Sequence, residues 1–141
     1  MNVTLDTDVD TLAFGARLAA VLRPGDVVAL SGGLGAGKTT LARGLIQSRL
    51  GEIDVPSPTY TLVQTYDWGE HELWHCDLYR MEAPDDALEL GLLDAMGEEI
   101  VLLEWPDRLG ALLPEDALSI DIAFDGEGRT VTLKGFEGRD V

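Results

Sequence analysis

A chain of 141 residues, 45% hydrophobic and carrying a formal charge of −16, has the size and apolar content of one folded domain that buries roughly 68–70% of its unfolded surface. The 26 acidic against 10 basic residues repel polyanions, which argues against autonomous binding to DNA or RNA, an affinity built on Lys and Arg displacing phosphate counterions. No apolar run reaches the roughly 18 residues of a membrane span, and MNVTLDTDVD is acidic where a secretory signal is basic and then apolar, so a cytoplasmic protein without membrane contact is expected.

Thr7 with Asp10 three residues later reads as a capping box, and Leu12, Ala16, Ala19 and Leu22 mark one face of the helix that follows. Arg23-Pro24-Gly25-Asp26 ends it. DVVALS (26–31) reads as a short strand apolar on both faces, KTTLARGLIQSRL (38–50) as a helix, with glycines between them. VPSPTY (55–60) places Ser57 and Thr59 in a loop stiffened by two prolines, able to present a hydroxyl to a phosphate or its metal. TYTLVQTYDW and HELWHCDLYR alternate at period two around a DWGEH turn and predict a hairpin. On its second strand His75, Asp77 and Tyr79 share one face, Trp74, Cys76 and Leu78 the other. The polar face implies mutual hydrogen bonds, a ligand or an exposed edge. Cys76, the single cysteine, has no partner for a disulfide or CxxC site and reads as a small buried hydrophobe.

Pro84, Asp85 and Asp86 suit a helix first turn. EIVLLEWP (99–106) is a fully buried strand stopped by Pro106, and LSIDIAF, DGEG, RTVTL (118–133) form a second hairpin with Leu118, Ile120, Ile122 and Phe124 on one side. Crossovers mixed with hairpins predict an α/β fold on a mixed sheet, one domain over 1–141.

GGLGAGKT (32–39) fits G-x-x-x-x-G-K-[ST] between strand and helix, the context in which backbone N–H groups and a helix N-terminus cradle phosphate. Lys38 is then expected to reach outward to the β- and γ-phosphates, burying little, while the Thr39 hydroxyl joins a magnesium shell. Ligands of such sheets sit at the carboxyl ends of parallel strands, where Glu104 follows four apolar residues, placed to hold magnesium or to orient the attacking water.

LGAGKTT, SPTYTLV, HCDLYR and LLEWP, in this order, closely resemble the bacterial TsaE (YjeE) family, over nearly the whole chain. The resemblance implies a P-loop NTPase-like fold, with a parallel core, antiparallel flanking strands and helices packed on the sheet. It implies a Mg-dependent ATPase in the synthesis of tRNA N6-threonylcarbamoyladenosine, working with the transferase TsaD and its paralogue TsaB, which hold the tRNA. Its nucleotide loop falls on Leu34, Gly35, Ala36, Gly37, Lys38, Thr39 and Thr40, with Thr39 and Glu104 as metal ligands. The HxDxYR motif falls on His75, Asp77, Tyr79 and Arg80, with Asp77 the second acid beside Glu104 and Lys38, either carboxylate being able to orient water. Trp105, Arg129 and Asp8 match positions near the nucleotide. The family's usual Asp or Glu is replaced by Gly33.

Two other classes share this cradle. A small-molecule kinase needs an arginine-rich lid, and no Arg cluster follows the central helix. A nucleotide-gated interaction module needs only binding, with hydrolysis slow or incidental. No NKxD guanine signature is present, which favours adenine.

Overall fold

The computed structural model describes residues 1–141. Strand β1 (Asn2–Leu5) leads into helix α1 (Asp8–Ala19), β2 (Val27–Ser31) and α2 (Lys38–Leu50). The hairpin β3 (Val63–Asp67) and β4 (Glu72–Asp77), the short helices α3 (Asp86–Glu89) and α4 (Leu92–Ala95), and β5 (Ile100–Glu104) follow. A 3-10 helix over Pro106–Leu112 and the hairpin β6 (Leu118–Asp125) and β7 (Gly128–Lys134) complete the chain. All seven strands form one sheet in the order β1-β7-β6-β2-β5-β4-β3. β6, β2, β5 and β4 run parallel, while β7, β1 and β3 pair antiparallel with their neighbours. The expected parallel core with antiparallel flanks is present.

The apolar runs explain the centre. Every residue of β5 and Val27 to Leu30 of β2 are buried, as strands covered on both faces must be. Alternation then divides the core. Val28, Leu30, Leu102, Ile120 and Ile122 face α1 and α2 with Phe14, Leu18, Leu41 and Leu45. Val27, Cys76, Leu78, Val101 and Leu103 face the other way, with Leu92 of α4 and Leu109 of the 3-10 helix. Cys76 is fully buried, and burial together with the nearby Glu104 pushes its thiol far above the usual range, so it is the inert hydrophobe expected.

Three expectations are corrected. Helix α1 does begin with the capping box, Thr7 and Asp10 bonding reciprocally, but its fully buried residues are Thr11, Phe14, Gly15 and Leu18, while Leu12, Ala16, Ala19 and Leu22 are half-buried, Ala19 and Leu22 packing against the core. α1 and α2 cross so closely that a Cβ on Gly15 would stand 2.3 Å from the Leu41 carbonyl oxygen, and one on Gly44 2.3 Å from that of Leu12. The first hairpin strand starts at Val63, not Thr59, because residues 59–62 turn: Leu62 takes a left-handed φ of 67° and donates its N–H to the Pro58 carbonyl. Phe124 shares the face of Ile122 yet is 57% exposed, since β6 outruns the helix layer.

Replacing Gly15 by Ala should gain about 1 kcal/mol of helix propensity. The clash with two backbones outweighs it, so Gly15→Ala and Gly44→Ala should each lower unfolding stability in urea by at least about 2 kcal/mol.

Candidate active site

The loop after β2 closes because its glycines permit what a side chain would forbid. A Cβ on Gly32 would lie 2.6 Å from the Ile122 carbonyl oxygen, and Gly37, at the N-cap of α2, holds a left-handed φ of 111°. No side chain caps α2, so its positive end and first-turn amides face the loop's concavity. A Cβ on Gly33 would meet nothing within 4 Å, so the carboxylate that the resemblance leads one to expect there would fit. Backbone geometry does not require glycine at that position.

Loop and strand ends enclose a cavity of about 250 Å³ lined by Leu34, Gly35, Ala36, Gly37, Lys38, Thr39, Thr40, Ser57, Thr59, Asp77, Glu104 and Trp105. Most residues picked out in the sequence therefore meet here. Asp8, His75, Tyr79, Arg80 and Arg129 do not line it. Asp8 is exposed at the first position of α1, and Arg129 grips the loop from outside, donating from Nε to the Ala36 carbonyl at 2.9 Å and from Nη2 to that of Gly35 at 3.2 Å.

Lys38 departs from expectation. Instead of reaching outward it is 5% exposed, with Nζ donating to the carbonyls of Gly32 at 2.7 Å and Gly33 at 3.0 Å and lying 4.4 Å from the centre of the Trp105 ring. A buried ammonium must find acceptors, and the loop's carbonyls and the ring face supply them. Burial lowers its pKa below 10.5, against the opposing pull of Glu104 and Asp77.

Glu104 and Asp77 are register partners at the ends of the parallel strands β5 and β4, so both carboxylates point to the α2 side of the sheet. Glu104 accepts from the Thr39 hydroxyl at 3.2 Å and pairs with His75 Nε2 at 2.6 Å. His75 is fully buried with Nδ1 unpartnered. The polar face of β4 is thus a hydrogen-bonded interior, not an exposed edge. Asp77 accepts from the Thr59 hydroxyl at 3.1 Å and from the Tyr79 backbone N–H at 3.0 Å, and Thr59 in turn bonds Ser57 at 2.8 Å. The proline-stiffened loop therefore reaches the site. Tyr79 stacks on Trp105, ring centres 4.9 Å apart, and Trp105 holds the left-handed φ of 57° that turns its ring over Lys38. Such a conformation costs a non-glycine residue about 1–2 kcal/mol.

Thr39, Glu104 and Asp77 offer hard oxygen donors of the kind magnesium prefers. No group of three or more His, Cys, Asp or Glu could hold an ion by itself. This donor set fits an ion that takes one or two carboxylates from protein and the rest of its shell from phosphate and water. Sequence reasoning missed the pairing of His75 with Glu104, since parity put His75 on the right face but could not say which strand lay beside it.

A family model described as threonylcarbamoyl adenosine biosynthesis protein TsaE matches residues 5–131. The tRNA threonylcarbamoyladenosine biosynthesis protein TsaE of Bacillus subtilis strain 168 is 39% identical over 132 residues, covering 92% of this chain and 82% of the relative. Its counterpart in Rickettsia bellii strain RML369-C is 37% identical over 119 residues, 84% of this chain and 83% of the relative. The crystal structure of Bacillus subtilis YdiB superposes with a TM-score of 0.76 at 30% identity, covering 94% of this chain and 83% of that one. The fold is P-loop NTPase-like.

Replacing His75 by Leu leaves a buried carboxylate short of a donor, and urea unfolding should show a loss of about 1–3 kcal/mol. His75→Gln, which still donates, should lose less.

Proposed function

The chain belongs to the TsaE family, acting in tRNA threonylcarbamoyladenosine biosynthesis, and on that premise we propose that it binds and hydrolyses Mg-ATP in concert with the transferase TsaD and its paralogue TsaB. The observation that carries this reading is the convergence of Lys38, Thr39, Asp77 and Glu104 on one cavity at the start of α2. Cation, hydroxyl and two carboxylates are what a magnesium–triphosphate requires, in the place a phosphate cradle provides.

Backbone amides of Gly35, Gly37, Lys38 and Thr39 and the Lys38 ammonium bind phosphate oxygens, the Ala36 N–H being taken by the Gly33 carbonyl. Thr39 and Glu104, already hydrogen-bonded to each other, are the pair that would hold magnesium, which when bound neutralises charge developing on the phosphates. His75 fixes the Glu104 carboxylate. Asp77, held by Thr59 and the Tyr79 amide, is left to orient water and accept its proton. The formal charge of −16 supports a division of labour in which partners hold the tRNA. No helix is long and apolar enough to cross a membrane, in keeping with work in the cytoplasm.

Turnover measured alone and with TsaD, TsaB and tRNA tests the reading. A strong rise supports a coupled ATPase; no turnover in either condition leaves a nucleotide-gated binding module, and a phosphorylated small molecule a kinase. Glu104→Gln should keep nucleotide affinity while raising the magnesium requirement and lowering tRNA modification by about a hundredfold or more. Asp77→Asn should lower turnover comparably with an unchanged magnesium requirement. Equal modification by wild type and Glu104→Gln would remove Glu104 from the mechanism.

The lowered pKa of Lys38 gives two opposite slopes. Nucleotide affinity should fall as pH rises through a value below 10.5, because the ammonium is lost, and Lys38→Arg should remove that fall. In the same window the unfolded chain binds more protons than the folded one, so stability attributable to Lys38 rises with pH. Calorimetric titration of ATP between neutral and alkaline pH, alongside urea unfolding, reads both.

A further inference from the structure

Phe124 is a large apolar side chain left 57% exposed, and it stands beside the nucleotide loop. β6 pairs in parallel with β2, whose last residue Ser31 is in register with Asp121. Phe124 lies three residues farther on, which at about 3.3 Å per residue carries it roughly 10 Å past the end of β2, level with the loop. A Cβ on Gly35 would touch the ring at 4.0 Å. The guanidinium of Arg129 lies 4.3 Å from the ring centre, and the hydrogen bonds that Arg129 makes to Gly35 and Ala36 lock ring, hairpin and loop into one unit.

The carboxylates that line the cavity sit at one end of it. Glu104 and Asp77, the metal and water groups, lie on the β5–β4 side of the loop, whereas β6 flanks β2 on the opposite side. A triphosphate with its terminal phosphate near Glu104 must lead its nucleoside away from those carboxylates, toward β6. We propose that Phe124 is the stacking platform for the nucleobase, a specificity-determining residue that favours purines over pyrimidines by the larger ring area they cover. This rests on the reading of the cavity as a nucleotide site. A lone exposed aromatic is ordinary on a protein surface. Phe124 differs because Arg129 fixes its orientation to the loop and one face of its ring is backed by a cation.

The test compares Mg-ATP, Mg-CTP and magnesium tripolyphosphate by calorimetry on wild type, Phe124→Ala and Phe124→Tyr. Phe124→Ala should weaken ATP about tenfold and narrow the preference for ATP over CTP, while tripolyphosphate stays within about twofold and Phe124→Tyr keeps wild-type ATP affinity. Unchanged ATP affinity in Phe124→Ala overturns the stacking role and leaves the nucleotide site standing. Equal losses of ATP and tripolyphosphate overturn it too, since Phe124 would then act through the loop. Wild type that binds neither ATP nor tripolyphosphate removes the nucleotide reading itself, and this inference with it.

Discussion

The rest of the site depends on a carboxylate buried at the end of a buried strand. Glu104 is 3% exposed and closes β5, every other residue of which is apolar and enclosed by β2 on one side and β4 on the other. A charge in that position is stable only if donors surround it. They come from two elements: His75 from β4, and from the first turn of α2 the Thr39 hydroxyl and, at longer range, the Lys38 ammonium. Satisfying Glu104 therefore fixes the register of β4 against β5 and the height of α2 above the sheet. The same contacts assemble the cavity.

The helix layer sets the remaining coordinate. α2 can bring its N-terminus to the loop only if its body lies close to α1, and Gly15 facing Leu41 with Gly44 facing Leu12 allows backbone-to-backbone contact. Arg129 then ties the far hairpin to the loop's carbonyls, so the cradle is braced from below by Ile122 and from outside by β7. The segment carrying Ser57 and Thr59 is anchored by the buried Val55 and meets Asp77 twice, through the Thr59 hydroxyl and through the Leu62 carbonyl, which accepts from the Asp77 N–H.

Features carried by local spacing were legible in the sequence. The helix from Lys38 to Leu50, the buried strand ending at Glu104, the capping box at Thr7 and both hairpins follow from periodicity, caps and turn residues, each decided within a few positions of the chain. That the glycine loop and the carboxylates of Asp77 and Glu104 meet at one cavity was legible because such residues sit at strand and helix ends. What escaped depends on partners distant in sequence. That β6 lies beside β2, that His75 meets Glu104 rather than solvent, that Gly15 marks a helix crossing and that Lys38 folds back over its own loop are set by packing between elements. The four-residue β1 was missed because it owes its existence to β7, not to its own alternation.

The central claim is that one divalent ion is held jointly by Thr39, Glu104 and a nucleotide's phosphates. Manganese substituted for magnesium reports this by electron paramagnetic resonance. Phosphorus hyperfine couplings should appear on the protein-bound ion only when ATP is present, and Thr39→Val should abolish them at the same concentrations. Manganese bound equally well without ATP, or couplings unaltered by that substitution, would contradict the account.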